Sequence, residues 1–184
     1  MLEIDVAAAT AHVLKITATG TGTVHFIEPW LSTAKRIRIA NAGVHSTSAQ
    51  TWAQGSTIYS RSMISLYAPD VVICLLGAND TITGRTAAEF MADLNAVLAN
   101  APTVDKIVMS PAPSEVDAEY ALMQEYAVRE RYQTPHPFID QLKHFGTYEA
   151  AVAAGWITPP DPRHPNATGQ VQQVALMAQM LATA

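Results

Sequence analysis

The chain has 184 residues, 49% of them hydrophobic, which suffices for one buried core at the usual size of a single domain. Charged residues are only 15% and the formal net charge is −5, with an isoelectric point near 5.6; this argues against a nucleic-acid ligand, which needs a basic face against phosphate. No apolar run reaches the roughly 20 residues that span a bilayer, and the N-terminus lacks the basic-then-apolar order of a signal peptide. The expectation is a soluble chain, cytoplasmic or virion-associated, with no membrane partner.

Residues 2–6, 11–19 and 23–30 are short β-prone runs, and Thr19-Gly20-Thr21-Gly22 carries a hairpin turn signal. A β-rich, antiparallel segment is therefore expected over 1–34. Over 35–184 strands alternate with helices, the pattern of a layered α/β fold with a mostly parallel sheet. Residues 36–40 predict a strand and 51–67 a helix, which Ala68-Pro69-Asp70 stops because the residue before a proline is pushed out of the α region. The continuous apolar run 71–76 predicts a central strand covered by helices on both faces. Cys74 lies inside that run as the single cysteine, so it cannot form an internal disulfide and reads as a small buried hydrophobe rather than a catalytic thiol.

Thr86 with Glu89 makes a capping box, and Phe90, Leu94, Val97 and Leu98 form an apolar stripe behind it, predicting a helix over 87–99. A strand is expected over 106–109, a helix over 116–131 with Tyr120, Met123 and Ala127 inward, and a short strand over 138–142. A short helix over 147–154 should end at Gly155. Asn166 caps a last helix whose expected buried face includes Val171, Val174 and Met177.

Three short blocks carry chemistry. Gly77-Ala78-Asn79-Asp80 follows directly on a buried strand, at the carboxyl end of the sheet, where open α/β folds form their ligand crevice. The Asn79 amide could donate to an oxyanion there; the alternative is that Asn79 and Asp80 only make a turn. Asn41-Ala42-Gly43 also follows a predicted strand, with His45, Ser46, Thr47 and Ser48 after it. The Gly43 N–H is a candidate oxyanion donor, or the glycine meets a left-handed turn. In Asp161-Pro162-Arg163-His164-Pro165 the carboxylate can accept the Nδ1 proton of the imidazole, leaving Nε2 as a base, on a loop stiffened by two prolines. An Asp/His pair can also hold a metal, but no further His or Cys stands at ligand spacing, so no metal and no cofactor is expected. His12, His25, His45, His136 and His144 read as surface or packing residues.

The ordered set N-x-G at Asn41 to Gly43, G-x-N-D at Gly77 to Asp80 and D-x-x-H at Asp161 to His164 resembles the SGNH (GDSL-like) hydrolase family, over about residue 36 to the C-terminus. That resemblance implies a flavodoxin-like three-layer α/β/α sandwich, with Gly43 and Asn79 as oxyanion donors, His164 as general base and Asp161 as its orienting acid. It implies a serine esterase acting on acyl or acetyl esters, of a carbohydrate or of a small molecule. The family's nucleophile sits in a G-D-S block, and no Gly-Asp-Ser occurs among the nine serines here. Ser46 and Ser48, on the loop after Gly43, are the candidate replacements, and Ser46 stands where relatives often have glycine. Some members carry a β-rich insert between the serine and N-x-G blocks, which residues 1–34 resemble, so the serine block would have been lost or would lie on another polypeptide. The alternative is a catalytically inactive binding or structural module, such as a virion or tail component.

Overall fold

The chain divides into two units, Met1–Asn41 and Ala42–Ala184. The computed structural model describes residues 43–44, 46–55, 64, 69–101 and 104–183, all in the second unit. The strands expected over 2–6, 11–19, 23–30 and 36–40 lie outside the described residues, as do His12, His25 and His45.

Within them the fold is α/β. Three strands, β1 (Val71–Leu75), β2 (Asp105–Met109) and β3 (Phe138–Ile139), pair in parallel in the order β1-β2-β3. Val71 aligns with Asp105 and Val108 with Phe138. The helices in chain order are α1 (Ala49–Gln54), α2 (Ala78–Ile82), α3 (Ala87–Leu98), α4 (Asp117–Gln133), α5 (Gln141–Phe145), α6 (Tyr148–Ala153) and α7 (Ala167–Thr183).

Alternation along β2 builds the layers, because successive side chains leave a strand on opposite faces. Val108 joins Cys74 on one face, in a core with Ala49 of α1, Phe90, Leu94 and Leu98 of α3 and Tyr126 of α4. Ile107 and Met109 leave by the other, meeting Ile73, Ile139 and, from α7, Leu176, Met177 and Met180. Helices thus cover both faces of the sheet, the three-layer arrangement expected. Among the described strands the middle one is β2, buried from Lys106 to Met109, whereas Val71 and Leu75 of β1 remain about two fifths exposed at 39% and 40%. Burial of Cys74 holds its thiol up at about 12, helped by the negative charges of Glu130 and Asp80, so it is an inert packing group.

Local chemistry explains the element ends. Thr86 and Glu89 form the expected capping box of α3, the Thr86 hydroxyl accepting from the Glu89 N–H and the Glu89 carboxylate from the Thr86 N–H. Thr147 caps α6 and Gly155, at φ 73°, follows it. Three expectations change. The helix expected from residue 51 begins at Ala49, because Ser48 and Thr51 form a second capping box, and it ends at Gly55 in the left-handed region at φ 68°; most of 56–67 lies outside the described residues. The strand over 138–142 ends at Ile139, because the Asp140 side chain accepts from the Lys143 N–H at 2.9 Å and starts α5. The buried face of α7 is also rotated.

Val171 and Val174 are 63% and 62% exposed, whereas Met177 faces the sheet as expected, together with Leu176 and Met180. The phase is set at the first turn. Asn166 accepts from the Gly169 N–H at 3.0 Å, and a Cβ on Gly169 would lie 2.3 Å from the Trp156 carbonyl oxygen. Gly169 must therefore face inward, and at about 100° per residue Val171 then points away.

Candidate functional site

The crevice lies at the carboxyl ends of β1 and β2. A cleft of about 230 Å³ has Leu75 to Asn79 on one side, Pro111 and Ala112 after β2, Gln141 at the start of α5, and Arg163 to Pro165 opposite. Thr47 and Gln173 complete its wall. Asn79 and His164, 85 residues apart, therefore meet at one cleft.

Leaving β1, the chain turns at Gly77 with φ 114°, a conformation that side-chain-bearing residues rarely adopt. A Cβ there would come within 3.4 Å of Phe90 and Tyr126, whose rings stack with centroids 4.2 Å apart. The following Ala78–Ile82 is a helical turn, not an open loop. Asn79 Nδ2 donates to the Thr47 carbonyl at 2.8 Å, and Asp80, fully buried, accepts from the Ala49 N–H at 3.0 Å through Oδ2. These two bonds tie the Gly77 block to the segment after Gly43. An amide has two N–H donors, so Asn79 keeps one beyond the bond to Thr47. Burial raises the Asp80 carboxyl above its ordinary range, against the lowering effect of the Ala49 and Gln50 N–H groups.

Asp161 and His164 form the expected pair. His164 Nδ1 lies 3.0 Å from both Asp161 carboxylate oxygens, and Oδ1 also accepts from the backbone N–H groups of Arg163 at 3.0 Å and His164 at 2.8 Å. Partial burial pushes the Asp161 carboxyl up, but those backbone donors together with the His164 ring outweigh it and hold it below the ordinary range. An ionised carboxylate against Nδ1 selects the tautomer with its lone pair on Nε2. The His164 side chain is 71% exposed, so that nitrogen is open to a reactant.

The loop carrying the pair is anchored on every side. Arg163 Nη2 bonds both oxygens of Glu119 in α4 at 3.0 Å, and the Ser114 hydroxyl donates to Glu119 at 2.6 Å. Tyr148 of α6 donates to the Asp161 carbonyl at 2.9 Å, and the Glu115 N–H to the Pro162 carbonyl at 2.8 Å. Ile157 and Pro165 form an antiparallel bridge beneath. Trp156, next to it, stacks on His144 with centroids 5.3 Å apart, so His144 is a packing residue.

The nucleophile candidates are placed differently. Ser48 is buried, its hydroxyl accepting from the Thr51 N–H at 3.1 Å and sharing a 3.0 Å hydrogen bond with the Thr51 hydroxyl. It is a helix cap. Ser46 is exposed with φ 60°, and Gly43 is exposed; neither they nor Ser48 contribute to the cleft wall. Thr47 is the one hydroxyl among the described wall residues, and it is doubly engaged, donating to the Val44 carbonyl at 2.7 Å and accepting from Trp52 Nε1 at 3.0 Å. Sequence reasoning missed Arg163, although it lies inside the D-x-x-H block, and missed Gln141 and Gln173, for which no local signal exists.

Among the described residues no group of three or more His, Cys, Asp or Glu side chains gathers as a metal site, and no helix is long and apolar enough to cross a membrane. No protein-family model matches the chain, and no curated protein matches it.

Proposed function

We propose that this α/β unit is the base and oxyanion half of an SGNH-type serine esterase acting on acyl or acetyl esters, of a carbohydrate or a small molecule. The observation that carries the reading is the His164–Asp161 pair, Nδ1 held at 3.0 Å, opening onto the cleft that Asn79 also lines. In the reaction, His164 Nε2 takes the proton of a serine hydroxyl as the serine oxygen bonds to the ester carbonyl carbon. The free N–H of Asn79 stabilises the oxyanion. The ester C–O bond then breaks, His164 returns the proton to the leaving alcohol, and water releases the acyl group by the same route. The serine comes from outside the described wall: from Ser46 after a rearrangement of its loop, from another segment, or from another polypeptide.

The test is fluorophosphonate labelling of the purified chain, read by intact mass and peptide mapping. The expected result is one serine adduct that is lost in His164→Ala. An adduct of equal yield in that variant would sink the base assignment, and no adduct would restrict the unit to use with a partner chain.

A second reading rests on the engaged hydroxyls of Ser48 and Thr47: the unit is an inactive module that keeps the cleft to hold a glycan or a virion partner. Glycan binding that disappears in an Asn79→Ala, His164→Ala double variant, without any adduct in the wild type, would favour it.

A further inference from the structure

Two polar side chains of the cleft wall have an unmet bonding requirement, Arg163 at Nε and Gln141 at Nε2, and of the two only Gln141 is uncharged. Gln141 opens α5 at the carboxyl end of β3 and is fully buried, yet it forms part of the same wall as Asn79 and His164. Its Oε1 accepts from Gln173 Nε2 of α7 at 2.9 Å. Its Nε2 has no hydrogen-bond partner. Buried amide donors are almost always paired, because leaving one unmade forfeits the bond to water without replacement.

The neighbouring wall atoms indicate what would pair with the Gln141 donor. Leu75, Leu76, Ala78, Pro111 and Ala112 present an apolar lining, and the one cation in it, Arg163, is already bound to both oxygens of Glu119. A small apolar group bearing one uncharged acceptor oxygen suits such a pocket, whereas a free carboxylate would meet an Arg163 whose charge Glu119 already offsets. We infer that Gln141 is a ligand-binding residue whose unpaired amide N–H donates to the carbonyl oxygen of a short acyl group, such as acetyl, seated in this cleft. The inference deepens the proposed esterase reading by naming the acyl side of the substrate, and it holds equally for an acyl-binding module.

The experiment is a titration of the ¹⁵N-labelled chain with triacetin, a small soluble acetyl ester, with glycerol as the control, following the side-chain amide resonances. Gln141→Met, which keeps the shape and removes both polar atoms, is measured beside it for affinity and thermal unfolding. The expected result is a Gln141 amide shift with triacetin and none with glycerol, about tenfold weaker binding in Gln141→Met, and a melting temperature equal to or above the wild type. A merely structural role predicts the reverse: a lower melting temperature and unchanged binding. If triacetin moves the Asn79 and His164 resonances while the Gln141 amide stays still and Gln141→Met binds as wild type, the inference is overturned and the esterase reading survives. Absence of triacetin binding anywhere in the chain also overturns it. Gln141 shifts without any fluorophosphonate adduct would leave the inference standing and remove the catalytic reading of the isolated chain.

Discussion

Asp80 and Glu130 are both buried carboxyl groups, and they differ in what they do. Asp80 accepts from the Ala49 N–H and so welds the start of α1 to the turn after β1. Asp80→Ala leaves that buried donor unmade, and a loss of about 1–3 kcal/mol is expected in denaturant unfolding. Loss below a few tenths would mean that water replaces the carboxylate. Glu130, 1% exposed in α4, has no partner for either carboxylate oxygen. Burial, with a contribution from the negative charge of Asp140, pushes its carboxyl from 4.5 up to about 8. Below pH 4.5 the acid is protonated whether the chain is folded or not, and it has no effect. Between 4.5 and 8 the unfolded chain ionises and the folded one does not, so stability falls as pH rises, and the loss is complete above about 8. Glu130→Gln should therefore match the wild type near pH 4 and exceed it at pH 8, by an amount on the order of a few kcal/mol. A parallel pH dependence of the two melting temperatures would contradict this. Asp161 and His164 were legible as a pair in the sequence because three residues on a proline-bounded loop bring a carboxylate back to Nδ1. Ser48, the other nucleophile candidate beside Ser46, caps α1: a serine followed three residues later by a threonine is also a helix-start signal, and only the backbone geometry separates the two roles.

At the level of elements, the most legible helix was α3, whose capping box and apolar stripe are both local signals. The least legible feature was the phase of α7. Its sequence has apolar residues at 171, 174, 176, 177, 180 and 181, more than one face can bury, so periodicity alone does not choose. The choice is made by Gly169, pressed against the Trp156 carbonyl. Gly169→Ala would drive a methyl into a backbone oxygen at 2.3 Å, so that the first turn of α7 and the Trp156 segment must move apart. We expect a destabilisation of about 1–3 kcal/mol, as for other overpacked contacts. Unchanged thermal unfolding would show that α7 docks without that contact. The ending of β3 at Ile139 has the same kind of cause: Asp140 at the strand end offers the next N–H groups a cap before a further ladder bond can form.

For the whole unit, the cleft is a meeting of segments held by polar ties of long sequence separation. Asn79 to Thr47, Asp80 to Ala49, Arg163 to Glu119 and Gln173 to Gln141 each join residues 31 to 44 positions apart. The Arg163–Glu119 tie connects the His164 loop to α4, and both side chains are mostly buried. Glu119→Ala should lower the melting temperature by several degrees, at about 2–4 °C per kcal/mol for a chain of this size. It should also shift or broaden the His164 imidazole resonances in NMR spectra. Unaltered His164 resonances would mean that Tyr148 and the Ile157–Pro165 bridge position the loop unaided. The sequence by itself determined the α/β class, the parallel strands, the ends of α3, α4 and α6, the start of α7 and the Asp161–His164 pair, because apolar runs, capping residues and short-range hydrogen bonds act within a few residues of one another. The tertiary structure alone decided which strand lies in the middle of the described sheet, which face of α7 is buried, that Ser48 is a cap, and that Gln141 joins Asn79 and His164 in one wall. Those outcomes depend on contacts between segments far apart in the chain, which no local pattern encodes.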